Sequence, residues 1–250
     1  MSNLQGRVAW ITGGGSGIGL AGGIELARAG AHVVISGRNR ETLAAAEKQL
    51  RQAGSGEAIA LDVSSKDDVA KVAAKIGRVD ILVNSAGINS PKRNFHNVSF
   101  ESWDAIVAIN LSGMFYCVHA VLPGMRSRAD GLIVNISSWA GRYASTLTGP
   151  GYNATKHAVI ALTESINMEE GKNGIRATSV LPGEVATPIL EKRPVPPAPE
   201  VRAKMLQAED LGRTILFIAS LPARACVNEI VISPAWNRFY FGGFEAPSKA

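Results

Sequence analysis

Short apolar segments rich in β-branched residues alternate along this chain with longer segments of helical periodicity. The apolar segments are Val8–Thr12, His32–Ser36, Ala58–Leu61, Asp80–Asn84, Leu132–Ser137, Arg176–Leu181 and Glu229–Ser233. They lack the polar alternation of a half-exposed sheet, which is typical of strands covered by helices on both faces. The sequence therefore predicts a doubly wound α/β fold with seven parallel strands.

The intervening segments carry helix signals. Between the third and fourth strands, Ser65 precedes Asp68 by three residues, as in a capping box, and the apolar pattern ends at Gly77. The apolar positions of this helix, spaced to form one face, are Val69, Val72, Ala73 and Ile76. A longer helix is predicted over Glu101–Leu122.

The regular alternation breaks down in two segments. Pro188–Pro199 contains five prolines in twelve residues, so residues 188–208 are predicted to form a loop or lid over the substrate. The tail, residues 234–250, holds five of the chain's fifteen aromatic residues and is expected to pack against another surface. No repeat or shift in composition divides the chain, so we predict one domain over residues 1–250.

The composition excludes several classes of protein. Of 250 residues, 46% are hydrophobic, and the net charge of +5 suits an anionic small ligand. The sequence has no basic patch interleaved with aromatic residues, so we do not predict nucleic-acid binding. Two cysteines and four unpaired histidines provide neither a disulfide framework nor a metal site. Without a leader-like segment or a run of about eighteen apolar residues, we expect a cytoplasmic protein that does not bind membranes.

A glycine-rich segment, TGGGSGIG at Thr12–Gly19, links the first predicted strand to a helix. Its glycines permit a tight turn and a close approach of backbone N–H groups to a pyrophosphate, while the helix N-terminus favours negative charge. A glycine-rich turn alone is weak evidence, but the strand–loop–helix–strand context favours dinucleotide binding. The candidate binding residues here are Gly13, Gly15, Ser16, Gly17, Ile18 and Gly19.

The end of the second strand indicates which dinucleotide binds. An acidic residue there would bind the ribose 2′-hydroxyl of NAD(H), whereas arginine would accept the 2′-phosphate of NADP(H). Arg38 and Asn39 occupy this position and no carboxylate precedes Glu41. We therefore predict NADP (NADPH), with Arg38 as its phosphate ligand rather than an ordinary solvated arginine.

Two further strand ends contribute candidate cofactor contacts. Asp62 closes the third strand, followed by Val63, and its carboxylate would either accept a hydrogen bond from the adenine amine or cap the next helix. The fourth strand ends in Asn84-Ser85-Ala86-Gly87, where Asn84, Ala86 and Gly87 would let a ligand lie on the sheet edge.

A tyrosine and a lysine form the candidate catalytic pair. Tyr152 and Lys156 are four residues apart and so lie on one helical face. A nearby ammonium stabilises phenolate and would lower the tyrosine pKa, which suits proton exchange with a carbonyl or alcohol oxygen. The Tyr-x-x-x-Lys pattern is common, but Ser137 and Ser138 end the fifth strand at the same sheet edge and strengthen the hypothesis.

Together these motifs resemble those of the short-chain dehydrogenases/reductases, from the first strand to Ser233. The matching elements are Thr12–Gly19, Asp62, Asn84–Gly87, Asn110, Ser138, YNATK at Tyr152–Lys156, Pro182-Gly183 and Thr187. The resemblance implies a Rossmann-type fold, a homotetramer or homodimer, and an oxidoreductase that interconverts a ketone or aldehyde and an alcohol by hydride transfer.

The resemblance also implies individual roles. Tyr152 would be the general acid for reduction and the base for oxidation, with Ser138 bound to the substrate oxygen. Lys156 would lower the pKa of Tyr152 and bind the nicotinamide ribose, while Asn110 would hold a water that links Lys156 to solvent. The residues expected to line the nicotinamide are Pro182, Gly183, Val185 and Thr187.

The chain departs from the family pattern at three places. Ser85 replaces the usual asparagine, and Ser138 lies fourteen residues before Tyr152, so the loop between them is expected to be longer. After the last strand, Ser233–Trp236 replaces the common Asp-Gly-Gly, which puts the usual packing of the C-terminus in doubt.

The substrate would lie beneath the loops that follow the fourth, fifth and sixth strands. Candidate contacts are Trp139, Tyr143 and Glu184, although Glu184 would equally suit an exposed position. These loops also carry Phe95, Lys92, Arg93, Arg142 and Arg193. An aromatic or carboxylate-bearing carbonyl compound would fit them, unless the cations are solvated rim residues, the commoner case for any one of them.

An alternative function remains open from the sequence alone: a redox sensor that retains the cofactor site but regulates a partner without turnover. The joint presence of Asn110, Ser138, Tyr152 and Lys156 favours the enzyme, because a sensor does not need groups for proton transfer.

Overall fold

The computed structural model describes residues 4–240 and contains the predicted seven-stranded parallel sheet. The strands are β1 (Val8–Thr12), β2 (His32–Gly37), β3 (Ser55–Ala60), β4 (Ile81–Asn84), β5 (Gly131–Ile136), β6 (Ile175–Pro182) and β7 (Glu229–Ile232). Their order is β3-β2-β1-β4-β5-β6-β7, which places the reversal of strand order between β1 and β4. The predicted doubly wound Rossmann-type fold is confirmed.

Helices cover both faces of the sheet. They are α1 (Gly17–Arg28), α2 (Arg40–Ala53), α3 (Lys66–Ile76), α4 (Phe100–Val107), α5 (Gly113–Arg128), α6 (Pro150–Glu170), α7 (Pro199–Arg202) and α8 (Ala208–Ser220). Residues of α1, α2 and α8 pack with Ile11 on one face, and residues of α3, α5 and α6 pack with Trp10 on the other. Alternate residues of a strand thus enter separate cores, which explains its continuous apolar character.

The predicted strand boundaries are exact only for β1; the start of β3 is wrong by three residues, and the other errors are of one residue. The strand predicted at Ala58–Leu61 begins at Ser55, because this edge strand pairs with β2 from His32 onwards although its first residues are not apolar. The strand predicted from Asp80 begins at Ile81. The buried Asp80 carboxylate instead accepts a hydrogen bond from Val8 N at 2.9 Å and pairs with Arg78.

The predicted helix Glu101–Leu122 is interrupted and longer. A π-helical turn, Ala108–Ser112, joins α4 to α5, and α5 continues past Pro123 to Arg128. Among residues 4–240, Phe100–Arg128 is the one helical stretch with the length and composition to cross a membrane. The structure buries 44% of its apolar window. The π turn places Asn110 beside the candidate site.

The proline-rich segment and the start of the tail are ordered around the sheet edge. Within 188–208, a 3₁₀ turn at Pro188–Lys192 is followed by α7, and Val185 pairs with Leu206. After β7 the chain buries Asn237 and stacks Phe239 on Trp139 with ring centroids 5.7 Å apart. The rest of the aromatic tail, residues 241–250, lies outside the described residues.

Candidate active site

The crevice between β1 and β4 is shaped by the glycine-rich loop. Gly13 follows β1 with φ of +67°, a conformation that other residues rarely adopt, and a Cβ there would lie 2.7 Å from Ala86 N. The loops after β1 and β4 therefore touch at the reversal of strand order, where open α/β sheets bind ligands. Helix α1 begins directly after Ser16 and points its N-terminus into this crevice.

A cavity of about 310 Å³ runs along the carboxyl edge of the sheet. The predicted site residues that line it are Gly13, Ser16, Gly17, Ile18, Ala86, Gly87, Ser138, Trp139, Tyr152, Lys156, Pro182, Gly183, Glu184, Val185 and Thr187. The structure thus brings together residues predicted at four separate strand ends and on helix α6.

Other predicted residues do not line this cavity. Gly19 is buried against the Gly13 carbonyl, and Gly15 lies beside Thr42. Val63 packs behind the crevice against Gly113, while the buried Asn84 amide donates a hydrogen bond to Asn135 Oδ1 at 3.0 Å. Tyr143 is 56% exposed and is not among the residues that line the cavity, although its ring centroid lies 4.6 Å from that of Trp139. Its contact with the substrate stays a prediction.

Arg38 and Asp62 line a second, open cavity beyond β2 and β3. Asp62 Oδ1 accepts hydrogen bonds from Ser64 N at 3.0 Å and Ser64 Oγ at 2.7 Å. Burial alone would raise the pKa of Asp62, but these hydrogen bonds and the charge of Arg38 hold the pKa below its ordinary value. The cap interpretation of Asp62 is wrong, because Ser65 caps α3 by accepting from Asp68 N.

The residues present fit a dinucleotide phosphate. Arg38 is exposed, and the neighbouring Asn39 caps α2 by accepting hydrogen bonds from Glu41 N and Thr42 N. Arg40 lies at the same cavity, so two guanidinium groups are available where a 2′-phosphate would bind. The close contact of Gly13 with Ala86 leaves the crevice lined by backbone, as a pyrophosphate requires.

Helix α6 positions the catalytic pair. Lys156 is 4% exposed, and its Nζ donates a hydrogen bond to Ile136 O at 2.7 Å at the end of β5. The same Nζ lies 5.5 Å from the centroid of the Tyr152 ring. Ser138 follows β5 and lines the same cavity as Tyr152 and Lys156, which brings a hydroxyl, a phenol and an ammonium together.

Burial dominates the ionisation of this pair. It raises the pKa of Tyr152, and the hydrogen bond from Ser138 and the charges of Arg193 and Arg93 offset that rise only in part. Burial also lowers the pKa of Lys156 to about 8. The sequence predicts that Lys156 lowers the pKa of Tyr152, but in the structure this pKa is raised, because desolvation outweighs the neighbouring charges.

Asn110 lies behind the catalytic pair rather than in the cavity. Its Oδ1 accepts a hydrogen bond from Ile88 N at 2.8 Å, and its Nδ2 donates to Ile88 O at 3.0 Å. Asn110 Oδ1 and Lys156 Nζ lie 3.6 and 3.7 Å from the position that a Cβ on Gly87 would occupy. The π turn thus brings Asn110 close to Lys156 and fixes the loop after β4.

Comparison with known proteins agrees with this arrangement. A family model described as short chain dehydrogenase matches residues 7–196. The chain belongs to the short-chain dehydrogenase/reductase family. It is 35% identical over 239 residues to an uncharacterized oxidoreductase of Staphylococcus haemolyticus, covering 94% of this chain and 100% of that protein.

Solved structures of short-chain dehydrogenases share the fold. The closed form of a serine dehydrogenase complexed with NADP⁺ is 27% identical, with a TM-score of 0.82, covering 91% of this chain and 95% of that one. A metagenomic short-chain oxidoreductase in complex with NADP is 30% identical, with a TM-score of 0.80, covering 92% and 98%. This chain is therefore an oxidoreductase of that family.

Glu184 is a buried member of the cavity wall, and the exposed alternative is wrong. It is 7% exposed, and its carboxylate accepts hydrogen bonds from Arg193 at 2.7 Å and from Arg238 at 2.5 Å. Burial would raise the pKa of Glu184, but the two arginines outweigh it and lower that pKa. One carboxylate thus joins the loop after β6, the proline-rich segment and the tail.

The sequence indicated the segments of the substrate end but did not single out several of the residues that line the cavity there. They are Asn89, Leu147, Thr148, Ile189, Leu190 and Phe239, and Arg93 and Arg193 join them as cavity residues rather than solvated rim residues. Arg142 does pair at the surface, with Glu229 at 2.7 Å. These residues lie in loops that carry no motif. The proline content of residues 188–199 and the aromatic residues of the tail were the features that drew attention to two of the segments involved.

Proposed function

We propose that this chain is an NADP(H)-dependent oxidoreductase that interconverts a ketone or aldehyde and the corresponding alcohol. One observation carries the proposal: Tyr152, Ser138 and Lys156 line the same cavity as the glycine-rich loop. Arg38 and Arg40 at the second cavity support NADP(H) over NAD(H). Two structural relatives whose names include NADP or NADP⁺ agree with that preference.

Each catalytic side chain then has a defined task. When bound, NADPH supplies the hydride that reduces the carbonyl carbon. Tyr152 donates its phenolic proton to the carbonyl oxygen as that oxygen becomes an alcohol, and Ser138 donates a hydrogen bond to the same oxygen. Lys156 stabilises the phenolate left on Tyr152 by its charge.

The ionisation states suit reduction. A raised pKa keeps Tyr152 protonated, and therefore able to donate, at neutral pH. With its pKa near 8, Lys156 remains largely cationic at that pH. Oxidation of an alcohol requires phenolate instead, so its rate should increase as the pH is raised.

A panel of ketones, aldehydes and alcohols tests this function. Purified protein should consume NADPH with at least one carbonyl compound, or reduce NADP⁺ with the matching alcohol, and should prefer these cofactors to NADH and NAD⁺. The measurement is the absorbance of the reduced nicotinamide. Tight NADPH binding without turnover on any compound would contradict the enzyme and favour a cofactor-binding sensor.

The proposal includes a homodimer or homotetramer. Phe100 and Phe115, on α4 and α5, are 87% and 49% exposed, and a subunit contact would cover such aromatic surface. Light scattering should give the mass of two or four chains, and a monomer at micromolar concentration would contradict this part of the proposal.

A further inference from the structure

Arg93 is a buried cation at the substrate end of the cavity. It is only 7% exposed, and its guanidinium donates hydrogen bonds to Lys192 O at 2.6 Å and to Leu147 O at 3.4 Å. Its Nε is buried without an acceptor. No carboxylate among residues 4–240 pairs with Arg93. A buried guanidinium that is neither fully hydrogen-bonded nor neutralised is costly unless a ligand completes it.

The surrounding charges do not neutralise Arg93. Arg193 lines the same cavity, but its charge is directed to Glu184, which also binds Arg238. One carboxylate therefore serves two guanidinium groups, and none is left for Arg93. Burial and the charge of Arg193 both lower the pKa of Arg93, as expected for a cation in a site of excess positive charge.

The cavity joins this cation to the reacting centre and to an apolar wall. Arg93 and Tyr152 both line it, and the charge of Arg93 acts on the Tyr152 phenol. Trp139, Leu147 and Phe239 form an apolar surface in the same cavity. A ligand that spans the site would place one end on a cation and its body on these side chains.

We propose that the substrate is a carbonyl compound bearing a carboxylate, which Arg93 binds while Tyr152 serves the carbonyl oxygen. This inference rests on the proposed function and names its substrate class. Arg93 lines the cavity, and its guanidinium matches the two oxygens of a carboxylate. Arg193, held by Glu184, strengthens the same positive field.

A structural role for Arg93 makes a different prediction. Arg93 links its own loop to those of Leu147 and Lys192, so its loss would disturb the cavity for every substrate. If it binds the substrate carboxylate, its loss should instead weaken acids selectively and leave their neutral esters unaffected. The comparison of an acid with its ester in the same variant separates the two roles.

Binding is tested first, without turnover. Calorimetry is carried out on protein saturated with NADP⁺, which has no hydride to give, so neither an acid nor its ester can be reduced. The ligands are phenylglyoxylate, acetoacetate, pyruvate and their methyl esters. At least one acid should bind about 10- to 100-fold more tightly than its ester, the gain expected of a charged hydrogen-bonded pair. With NADPH, the same pairs should differ mainly in KM.

Three variants locate the effect. Arg93→Gln should abolish the preference for acid over ester, and Arg93→Lys should retain part of it. The control is Lys92→Gln, which removes one positive charge from the adjacent, exposed residue and should leave the preference unchanged. Melting temperature and NADP⁺ affinity, measured on each variant, show whether it is folded and still binds the cofactor.

Equal binding of acid and ester in all three pairs, absence of acid binding, or a preference that survives in Arg93→Gln would overturn the inference. The wild-type comparison alone decides the first two outcomes, even if Arg93→Gln does not fold. Reduction of neutral carbonyl compounds without preference for acids would leave the proposed function intact. Acid binding at Arg93 without turnover of any compound would support the anion site and contradict the function.

Discussion

The two ends of the cleft are built differently for the ligands proposed to bind there. At the cofactor end, recognition depends on backbone: the loop after β1 touches the loop after β4 through Gly13, and α1 begins beside it. At the substrate end, side chains from distant segments converge, with Glu184, Arg193 and Arg238 in one cluster. Backbone recognition is encoded in a short motif, whereas side-chain recognition depends on how separate loops fold together.

The two ends also differ in the hydration of the arginine that each one contains, and therefore in how salt should affect binding. Arg38 is exposed and hydrated, so the contribution proposed for it to binding of the 2′-phosphate should decrease with added salt. Arg93 loses its hydration on folding and awaits a ligand, so its contribution should depend little on salt. Cofactor choice should thus be easier to alter than substrate class.

The largest effect on turnover is expected at Tyr152, which lies between the cofactor end and the substrate end of the cleft. Tyr152→Phe removes the proton donor but keeps the ring, so kcat should fall by about 10²- to 10⁴-fold. NADPH affinity, measured by fluorescence titration, should change little. A variant that retains wild-type turnover would contradict the assignment of Tyr152 as the acid.

Matched glycine substitutions test whether the two ends are independent. Gly13 and Gly149 both have positive φ, and a Cβ on Gly149 would lie 2.2 Å from Arg93 O. Gly13→Ala should weaken NADPH binding, and Gly149→Ala should displace Arg93 and reduce the preference for acids. Strain of roughly 1–3 kcal/mol corresponds to about 5- to 150-fold in each case.

Calorimetry with NADP⁺ measures the affinity for the cofactor, and calorimetry with an acid and its ester measures the preference for acids. Both are measured in Gly13→Ala and in Gly149→Ala. If Gly149→Ala weakens cofactor binding as much as Gly13→Ala does, the two ends of the cleft do not act independently.

Cofactor selectivity tests the exposed arginine. Arg38→Asp should shift the ratio of kcat/KM for NADPH and NADH towards NADH by about 10- to 100-fold, because a charged hydrogen bond is replaced by repulsion. Adding salt should reduce the wild-type preference. An unchanged ratio would show that Arg38 does not bind the phosphate.

The smallest effect on either ligand is expected at the far end of the catalytic helix. Glu170 ends α6 and binds Arg126 Nε on α5 at 2.8 Å. Arg126, and then Asn173, hold the pKa of Glu170 at about 2, below its ordinary 4.5. Because this pKa is lowered by folding, its stabilisation is complete above about pH 4.5 and is lost as the pH falls towards 2.

Glu170→Gln should lower stability at neutral pH by about 1–2 kcal/mol, which is a few degrees in melting temperature, with kcat and KM unchanged. The difference from wild type should vanish in acid, as urea denaturation at several pH values would show. A constant difference at every pH would mean that the ion pair is not responsible.

The sequence predicted what depends on local pattern. The seven strands followed from runs of β-branched residues, and the cap at Ser65 from a spacing of three residues. β3 was misplaced because its paired start, at Ser55, is polar, and hydrogen bonding to β2 defines it instead of burial. Such pairing is not encoded in the segment itself.

The site divided in the same way. Gly13, Tyr152 and Lys156 lie in motifs and were predicted, and all three line one cavity. The burial of Arg93 could not be predicted, because it depends on contacts with Leu147 and Lys192, which are 54 and 99 residues away in the chain.

The position of Glu184 has a consequence for how this enzyme could diversify. Its two guanidinium partners lie at 193 and 238, on either side of β7 and outside the segments that hold Ser138, Tyr152 and Lys156. Exchange of the C-terminal quarter of the gene, which encodes both arginines, would therefore replace part of the substrate wall in one step and leave Ser138, Tyr152 and Lys156 unchanged.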